Sequence, residues 1–199
     1  MFGNIYKDKK VLMTGHTGFK GAWLTVWLLK LGANIVGISK DIPTSPSMFE
    51  ELKLKDKIRH YQEDIRDLSK MTEIITNEKP DFVFHLAAQA IVSTSYISPI
   101  ETITSNVIGT TNILEALRSS NHKCTAIIIT SDKAYDNVEQ VWGYKEDDKM
   151  GGKDIYSGSK GSAELIIKSY YHSFFKSSKS NIKLAIGRAG NVIGGGDIS

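Results

Sequence analysis

Cysteine is nearly absent from this chain. Cys124 stands alone among 199 residues, so no internal disulfide can staple the fold. A chain of this length buries about 70 % of its unfolded surface and needs no staple. A lone thiol fits a reducing compartment, and the expected location is the cytoplasm. Long apolar runs are missing too: none approaches the ~20 residues of a membrane span. Lys7, Asp8, Lys9 and Lys10 interrupt any early leader-like stretch. Nor is there an excess of one charge. Lys and Arg number 25 against 22 Asp and Glu, a scattered +3 that gives no footprint for nucleic acid or a membrane surface. His60, His122 and His172 have no acid or cysteine at metal spacing, so no metal is assigned. Repeats and low-complexity segments are lacking as well.

What is present is alternation. Apolar runs at 10–14, 34–39, 81–88, 124–131 and 182–190 read as strands, with a shorter one inside 58–65. Helical periodicity falls between them, at 17–31, 67–79, 98–120 and 155–175. In the first helix Phe19, Trp23, Leu24, Trp27, Leu28 and Leu31 recur at three and four, which predicts a buried face. In the second, Leu68, Met71, Ile74 and Ile75 do the same. Pro99 after Ser98 is an entry signal for the third. The stretch 41–47 reads as a loop with two prolines, and 132–153 as a longer polar connection. This order predicts an α/β fold, a doubly wound parallel sheet with helices on both faces.

The chemistry begins in "TGHTGFKG". Gly15, Gly18 and Gly21 leave a strand and open a helix. Such glycines allow a tight turn, and the helix N-terminus behind them offers N–H groups and partial positive charge to a pyrophosphate. A glycine-rich turn without a ligand is the plainer reading; the strand before it and the helix after it favour the phosphate. The G-x-x-G-x-x-G spacing is that of the short-chain dehydrogenase/reductase class. An acid for the adenine ribose is expected at the end of the second strand. Ser39 stands there instead, followed by Lys40 and Asp41. Lys40 and Lys20 would suit a 2′-phosphate, so residue chemistry alone leaves NAD and NADP open. Asp64, after the third strand, is placed either to touch adenine or to cap a helix.

Tyr156 and Lys160 lie four apart on a helix, hence on one face. A tyrosine is a poor base at neutral pH, and a neighbouring ammonium is the expected means of lowering its pKa. Ser131, Asp132 and Lys133 leave the fifth strand at its carboxyl end, where open α/β sheets bind ligands.

Together "GHTGFKGAWL", "HLAAQAIVSTSY", "TSDKAYDN", "VWGYKEDD", "GGKDIYSGSKGSAEL" and "RAGNVIGGGD" resemble the nucleotide-sugar 4,6-dehydratases of the extended short-chain class, and most of all the branch acting on CDP-glucose. The resemblance runs along almost the whole chain. It implies a Rossmann-like fold, NAD as cofactor, a nucleotide-sugar substrate and pairing into a homodimer through the helices at 98–120 and 155–175. It implies deoxysugar synthesis of the O-antigen type. Tyr156 would take the 4-hydroxyl proton, Ser131 would polarise that oxygen, Lys133 would act as base at C5 and Asp132 as acid toward the departing 6-hydroxyl. Partial burial and Lys160 would help to keep Lys133 neutral.

The resemblance further implies cofactor contacts from Gly15, His16, Thr17, Gly18, Phe19, Lys20 and Gly21. It adds Ser39, Asp64, Ile65, Leu86, Ala87, Ala88, Gln89, Asn106 and Thr130, with Tyr156 and Lys160. Substrate contacts would come from Gln89, Ser131, Arg188 and Asn191. His16 would lie beside the pyrophosphate or adenosine and tune cofactor affinity. Trp23, Trp27 and the Tyr170–Tyr171 pair read as core and interface packing. Residues 1–199 would form the dinucleotide-binding domain, with the substrate lobe of the family truncated. A 4-epimerase, a UDP-sugar dehydratase and a non-catalytic dinucleotide-binding module are the competing readings.

Overall fold

The structure, a computed structural model, describes residues 1–197. Six strands form its centre: β1 (Lys10–Thr14), β2 (Asn34–Ile38), β3 (Arg59–Tyr61), β4 (Phe82–His85), β5 (Cys124–Ser131) and β6 (Ile182–Ala189). All pair in parallel, in the order β3-β2-β1-β4-β5-β6. The strand order reverses between β1 and β4, which opens a crevice at their carboxyl ends. This is the doubly wound, Rossmann-like sheet that the alternation predicts.

Both faces are covered. Along β1, Leu12 joins Val36, Val83, Ile128, Met71, Ile113, Leu114 and Ile167 on one side. Val11 and Met13 join Leu28, Ala33 and Ile35 on the other. The helices are α1 (Phe19–Lys30), α2 (Met48–Glu51), α3 (Leu68–Glu78), α4 (Val92–Ile97), α5 (Pro99–Ile103), α6 (Thr110–Ser120) and α7 (Ile155–Tyr170). No helix among the described residues is long and apolar enough to cross a membrane.

The face that α1 buries differs from the expected one. Gly21, Ala22, Thr25 and Leu28 point inward, while Trp23 and Trp27 remain 48 % and 47 % exposed. The cause is proximity: a Cβ on Gly21 would lie 2.1 Å from the Gly15 carbonyl oxygen, so only a small-residue face can sit against the turn. Likewise Leu68 of α3 is exposed, and that helix sinks Met71, Ile74, Ile75 and Glu78 instead. The segment expected as one helix at 98–120 is α5 and α6 joined by a π-helical turn, Thr104–Gly109. Helix α7 ends at Tyr170 and passes into a second such turn, Tyr171–Phe175, which buries Phe175. Of the Tyr170–Tyr171 pair, Tyr170 packs on the core and Tyr171 faces outward. Helices α2 and α4 were not visible in the apolar pattern. Ser47 caps α2, whose Phe49 forms a small core with Ala22 and Leu54.

Two buried carboxylates tie the layers. Glu78 accepts from Lys10 at 3.0 Å, Arg59 at 2.6 Å and Tyr61 at 2.6 Å, joining α3 to β1 and β3. Burial alone would raise its pKa, but these donors hold it down at about 2. Glu164 of α7 is 0 % exposed and takes Arg188 of β6 in a fork, at 2.7 and 2.6 Å, with Thr130 donating at 2.7 Å. Removing one partner of such a pair leaves a buried charge. Glu164→Ala is therefore expected to lower the unfolding free energy by about 3–5 kcal/mol in urea titration, and Glu164→Leu with Arg188→Met by much less. Equal losses in the two would contradict this account.

Candidate active site

The glycine turn is built by close backbone approach. Gly15 has φ +74°, and a Cβ there would lie 2.8 Å from the Ala87 amide nitrogen at the exit of β4. Gly18 is the N-cap of α1, and no side chain caps the helix. The first N–H groups of α1 are thus left for an anion, such as a pyrophosphate, in the crevice. Phe19 is half-buried and Lys20 exposed beside them.

His16 corrects the expectation for it. Its ring is fully buried behind the turn and bonded to protein groups there, rather than turned toward the crevice. Nδ1 lies 3.1 Å from Ser39 Oγ, Nε2 lies 2.8 Å from His60 Nδ1, and the ring edge meets Phe49. Gly37 is what makes room, since a Cβ there would lie 2.6 Å from the imidazole. Burial first, and His60 second, push the His16 pKa down to about 4. Ser39 also turns its hydroxyl inward, and the Thr17 hydroxyl donates to the Asp41 carbonyl at 2.7 Å. The side chains of His16, Thr17 and Ser39 therefore brace the turn from behind. Asp64 grips Arg66 through both oxygens. Ile65 packs against Gly109, and Asn112 donates to the Ile65 and Arg66 carbonyls at 3.0 and 2.8 Å.

At the exit of β4, Leu86, Ala87, Ala88 and Gln89 line the crevice half-buried. Beneath them runs one buried chain of hydrogen bonds. The Ala87 N–H donates to Thr14 Oγ1 at 3.1 Å, Thr14 Oγ1 lies 2.7 Å from His85 Nδ1, and His85 Nε2 lies 3.0 Å from Thr110 Oγ1. Thr110 gives its only hydroxyl proton to the Asn106 carbonyl at 2.8 Å, so it must accept from His85 Nε2–H. Nδ1 then accepts from Thr14. Burial pushes the His85 pKa down to about 3, assisted by Lys160, and keeps the ring in this neutral form. Asn106 sits in the π-helical turn and uses its whole amide. Its Oδ1 accepts from the Gln89 N–H at 2.8 Å, and its Nδ2 donates to the Gln89 carbonyl at 3.1 Å and to Ser159 Oγ at 2.9 Å. The Asn106 side chain thus lies behind the crevice wall, as a tie between the β4 exit and α7.

Asp154 caps α7, accepting from the Ser157 N–H at 2.9 Å and its hydroxyl at 2.7 Å. One turn in, Lys160 Nζ stands 5.7 Å from the centre of the Tyr156 ring. Both side chains are buried. Burial, with the Lys20 charge, brings the Lys160 pKa down to about 8. In the protein alone the Tyr156 phenol is not lowered as expected: burial holds it above its usual value, against the pull of a hydrogen bond to Ser131. Ser131 Oγ donates to Asp132 Oδ1 at 3.0 Å. Asp132 and Lys133 approach to 3.6 Å, with side chains that are half-exposed, so the burial of Lys133 is only partial. Ser131, Asp132, Lys133, Tyr156 and Lys160 therefore gather at the carboxyl end of β5, across from the glycine turn.

Two residues expected at the ligand are engaged elsewhere. Arg188 Nε and Nη2 donate to Glu164, its Nη1 donates to the Glu146 carbonyl, and its plane lies over Tyr135 at 4.6 Å. The Thr130 hydroxyl is bonded to Glu164. The Arg188 guanidinium and the Thr130 hydroxyl, expected at substrate and cofactor, thus brace α7 against the sheet. Asn191 is exposed just beyond β6.

The family model described as GDP-mannose 4,6 dehydratase matches residues 12–185, which takes in the whole constellation. The chain belongs to this family. Within it, the chain is 48 % identical over 197 residues to CDP-glucose 4,6-dehydratase of Salmonella typhimurium, covering 98 % of this chain and 55 % of that one. CDP-paratose 2-epimerase of Salmonella typhi is 30 % identical, covering 83 % and 54 %. The solved UDP-Glc/GlcNAc 4-epimerase of Campylobacter jejuni shares the fold, with a TM-score of 0.78 at 20 % identity, covering 90 % and 53 %. The chain spans about half the length of the curated relatives it matches.

For this family member, the motifs point to residues along the crevice and not to their supports Thr14, Thr110, Asn112, Ser159 and Glu164; His85, expected along the cofactor with the rest of its loop, is buried among those supports. Only Glu164 carried a signal, an acid one turn beyond Lys160 on the inward side of α7.

The buried histidines give a sign to the pH dependence of stability. His16 and His85 have folded pKa values of about 4 and about 3, below the ordinary 6.5. The unfolded chain takes up protons first, so this contribution is complete above about 6.5 and is lost as pH falls toward about 4. The urea midpoint is expected to drop between pH about 7 and about 5, and to drop less in His16→Gln. An unchanged slope in that variant would show that His16 is not one of the groups responsible.

Proposed function

We propose that the protein takes part in NAD-dependent 4,6-dehydration of a nucleotide-linked glucose, CDP-glucose first, to a 4-keto-6-deoxy sugar. The observation that carries this is the gathering of Ser131, Asp132, Lys133, Tyr156 and Lys160 opposite an uncapped helix N-terminus. A dinucleotide fits here, because the α1 N–H groups and the Lys20 ammonium face the same crevice as Lys160.

Each residue then has a task. Tyr156 accepts the 4-hydroxyl proton, the neighbouring Lys160 ammonium favours the phenolate, and Ser131 hydrogen-bonds the same oxygen. NAD⁺, when bound, supplies acceptance of the C4 hydride and its later return to C6. The resulting 4-ketone acidifies the C5 hydrogen, which a neutral Lys133 removes as a proton and gives back to C5 when C6 is reduced. Asp132 protonates the 6-hydroxyl as it leaves as water. The half-exposed setting of Asp132 and Lys133 suits groups that must meet a sugar entering from solvent. We assign residues 1–199 to the dinucleotide-holding and proton-moving part of the reaction. The reading includes a cytoplasmic location, a role in deoxysugar synthesis and a homodimer. Exposed Ile97, Ile100, Ile108 and Leu165 on α4, α5, the π-helical turn and α7 supply an apolar face for that dimer.

The test is incubation with NAD⁺ and CDP-, dTDP-, UDP- and GDP-linked sugars, followed by the alkaline absorbance of a 4-keto-6-deoxy product. Because the chain spans half of its relatives, turnover by it alone is expected to be weak, while NAD⁺ binding is retained. Where turnover is seen, Tyr156→Phe is expected to lower it by about 10²–10⁴-fold and Asp132→Asn by a comparable order. Hardly any effect of Asp132→Asn would favour an epimerase. Conversion of no nucleotide sugar, even by a form extended to the length of the relatives, would refute the dehydratase reading.

A further inference from the structure

The end of β2 is where a dinucleotide-binding sheet ordinarily sets an acid against the adenosine ribose. In this chain Ser39 takes the place, and its hydroxyl is turned inward to His16. The next residue, Lys40, is a cation that would by itself draw a 2′-phosphate. Lys40 Nζ, however, lies 2.9 Å from Glu101 Oε1 on α5 and 3.8 Å from Asp41 Oδ2. Beside this group Arg66 is held by both oxygens of Asp64. The two sets feel each other's charge: Lys40 acts on Asp64, and Arg66 acts on Lys40 and Glu101. Two cations, Lys40 and Arg66, thus face three carboxylates, Asp41, Asp64 and Glu101, a net −1. The Lys40 and Glu101 side chains are 46 % and 40 % exposed, so an arriving ligand can reach them.

We propose that Glu101, 61 residues beyond Lys40 in the chain, supplies the acid missing from β2 and is the residue that sets the choice against 2′-phosphorylated dinucleotides. It does so by occupying Lys40 and leaving the adenosine end negative. A 2′-phosphate entering there meets repulsion from Asp41, Asp64 and Glu101 and no unshared ammonium. A 2′-hydroxyl meets carboxylate oxygens that accept its hydrogen bond. This rests on the dinucleotide reading above and names the discriminating residue within it.

The test is the ratio of dissociation constants for NAD⁺ and NADP⁺, read by calorimetry or tryptophan fluorescence without any substrate. The unaltered chain is expected to favour NAD⁺. Glu101→Gln is expected to shift the ratio toward NADP⁺ by roughly tenfold, the scale of one partly exposed charge pair. Adding Lys40→Ala to Glu101→Gln should reverse most of that shift, and added salt should shrink it. Because the pair is half-exposed, far-UV dichroism and the thermal midpoint should stay close to those of the parent. A ratio unmoved by Glu101→Gln, or a shift that persists without Lys40, overturns the assignment while leaving dinucleotide binding intact. Binding of neither dinucleotide by the unaltered chain overturns the dinucleotide reading itself, and this assignment with it.

Discussion

Backbone resting on backbone is the constraint on which this molecule turns. Where β1 and β4 diverge, the Gly15 turn comes so near Ala87 that no side chain fits between them, and α1 in turn lies against Gly15 through Gly21. The approach sets the depth of the crevice and aims the N-terminus of α1 across it. It also dictates which face α1 buries, so the two tryptophans are turned toward solvent by a requirement located at Gly21. Such packing leaves little slack, because interiors of this density transmit a misplaced methyl group as a shift of the whole element.

The polar interior extends the same constraint across the sheet. Thr14, His85, Thr110 and Asn106 run from β1 through β4 to the π-helical turn, and each has its donors and acceptors matched. A neutral His85 suits this chain, since a second ring proton would face the Thr14 oxygen, which already receives the Ala87 N–H, with its hydroxyl hydrogen aimed at the ring. Asn106 passes the registration on to α7, where Ser159 Oγ donates to the Tyr156 carbonyl at 2.6 Å. The glycine turn and the Tyr156 helix are therefore set relative to one another by a continuous run of buried hydrogen bonds.

Much of this was legible in the residues, and the remainder was hidden for definable reasons. Strand positions came through because a parallel sheet buries both faces and writes itself as apolar runs. Gly15, Gly21, Tyr156, Lys160 and the Ser131–Lys133 run stood out because their spacing is imposed by local geometry. Asn106 was visible as a polar residue on an apolar helix, though not its π-helical setting, since an added residue per turn leaves no periodic trace. The side chains of His16, Ser39, Arg188 and Thr130 bond protein groups that the motifs do not reveal. The partners that turn them, His60, Gly37 and Glu164, are distant in sequence and meet them only through the order of the sheet.

Arg188 has one more consequence. Its edge is clasped by Glu164, an outer nitrogen reaches the Glu146 carbonyl, and its plane carries Tyr135, on which Tyr144 is stacked at 4.9 Å. The polar span after β5 is thereby hung from the sixth strand as a gate is hung from a post. Ser131, Asp132 and Lys133 form the hinge side of that gate. A displacement at the end of β6 would travel through one planar cation to the segment that leaves the fifth strand at Ser131, Asp132 and Lys133.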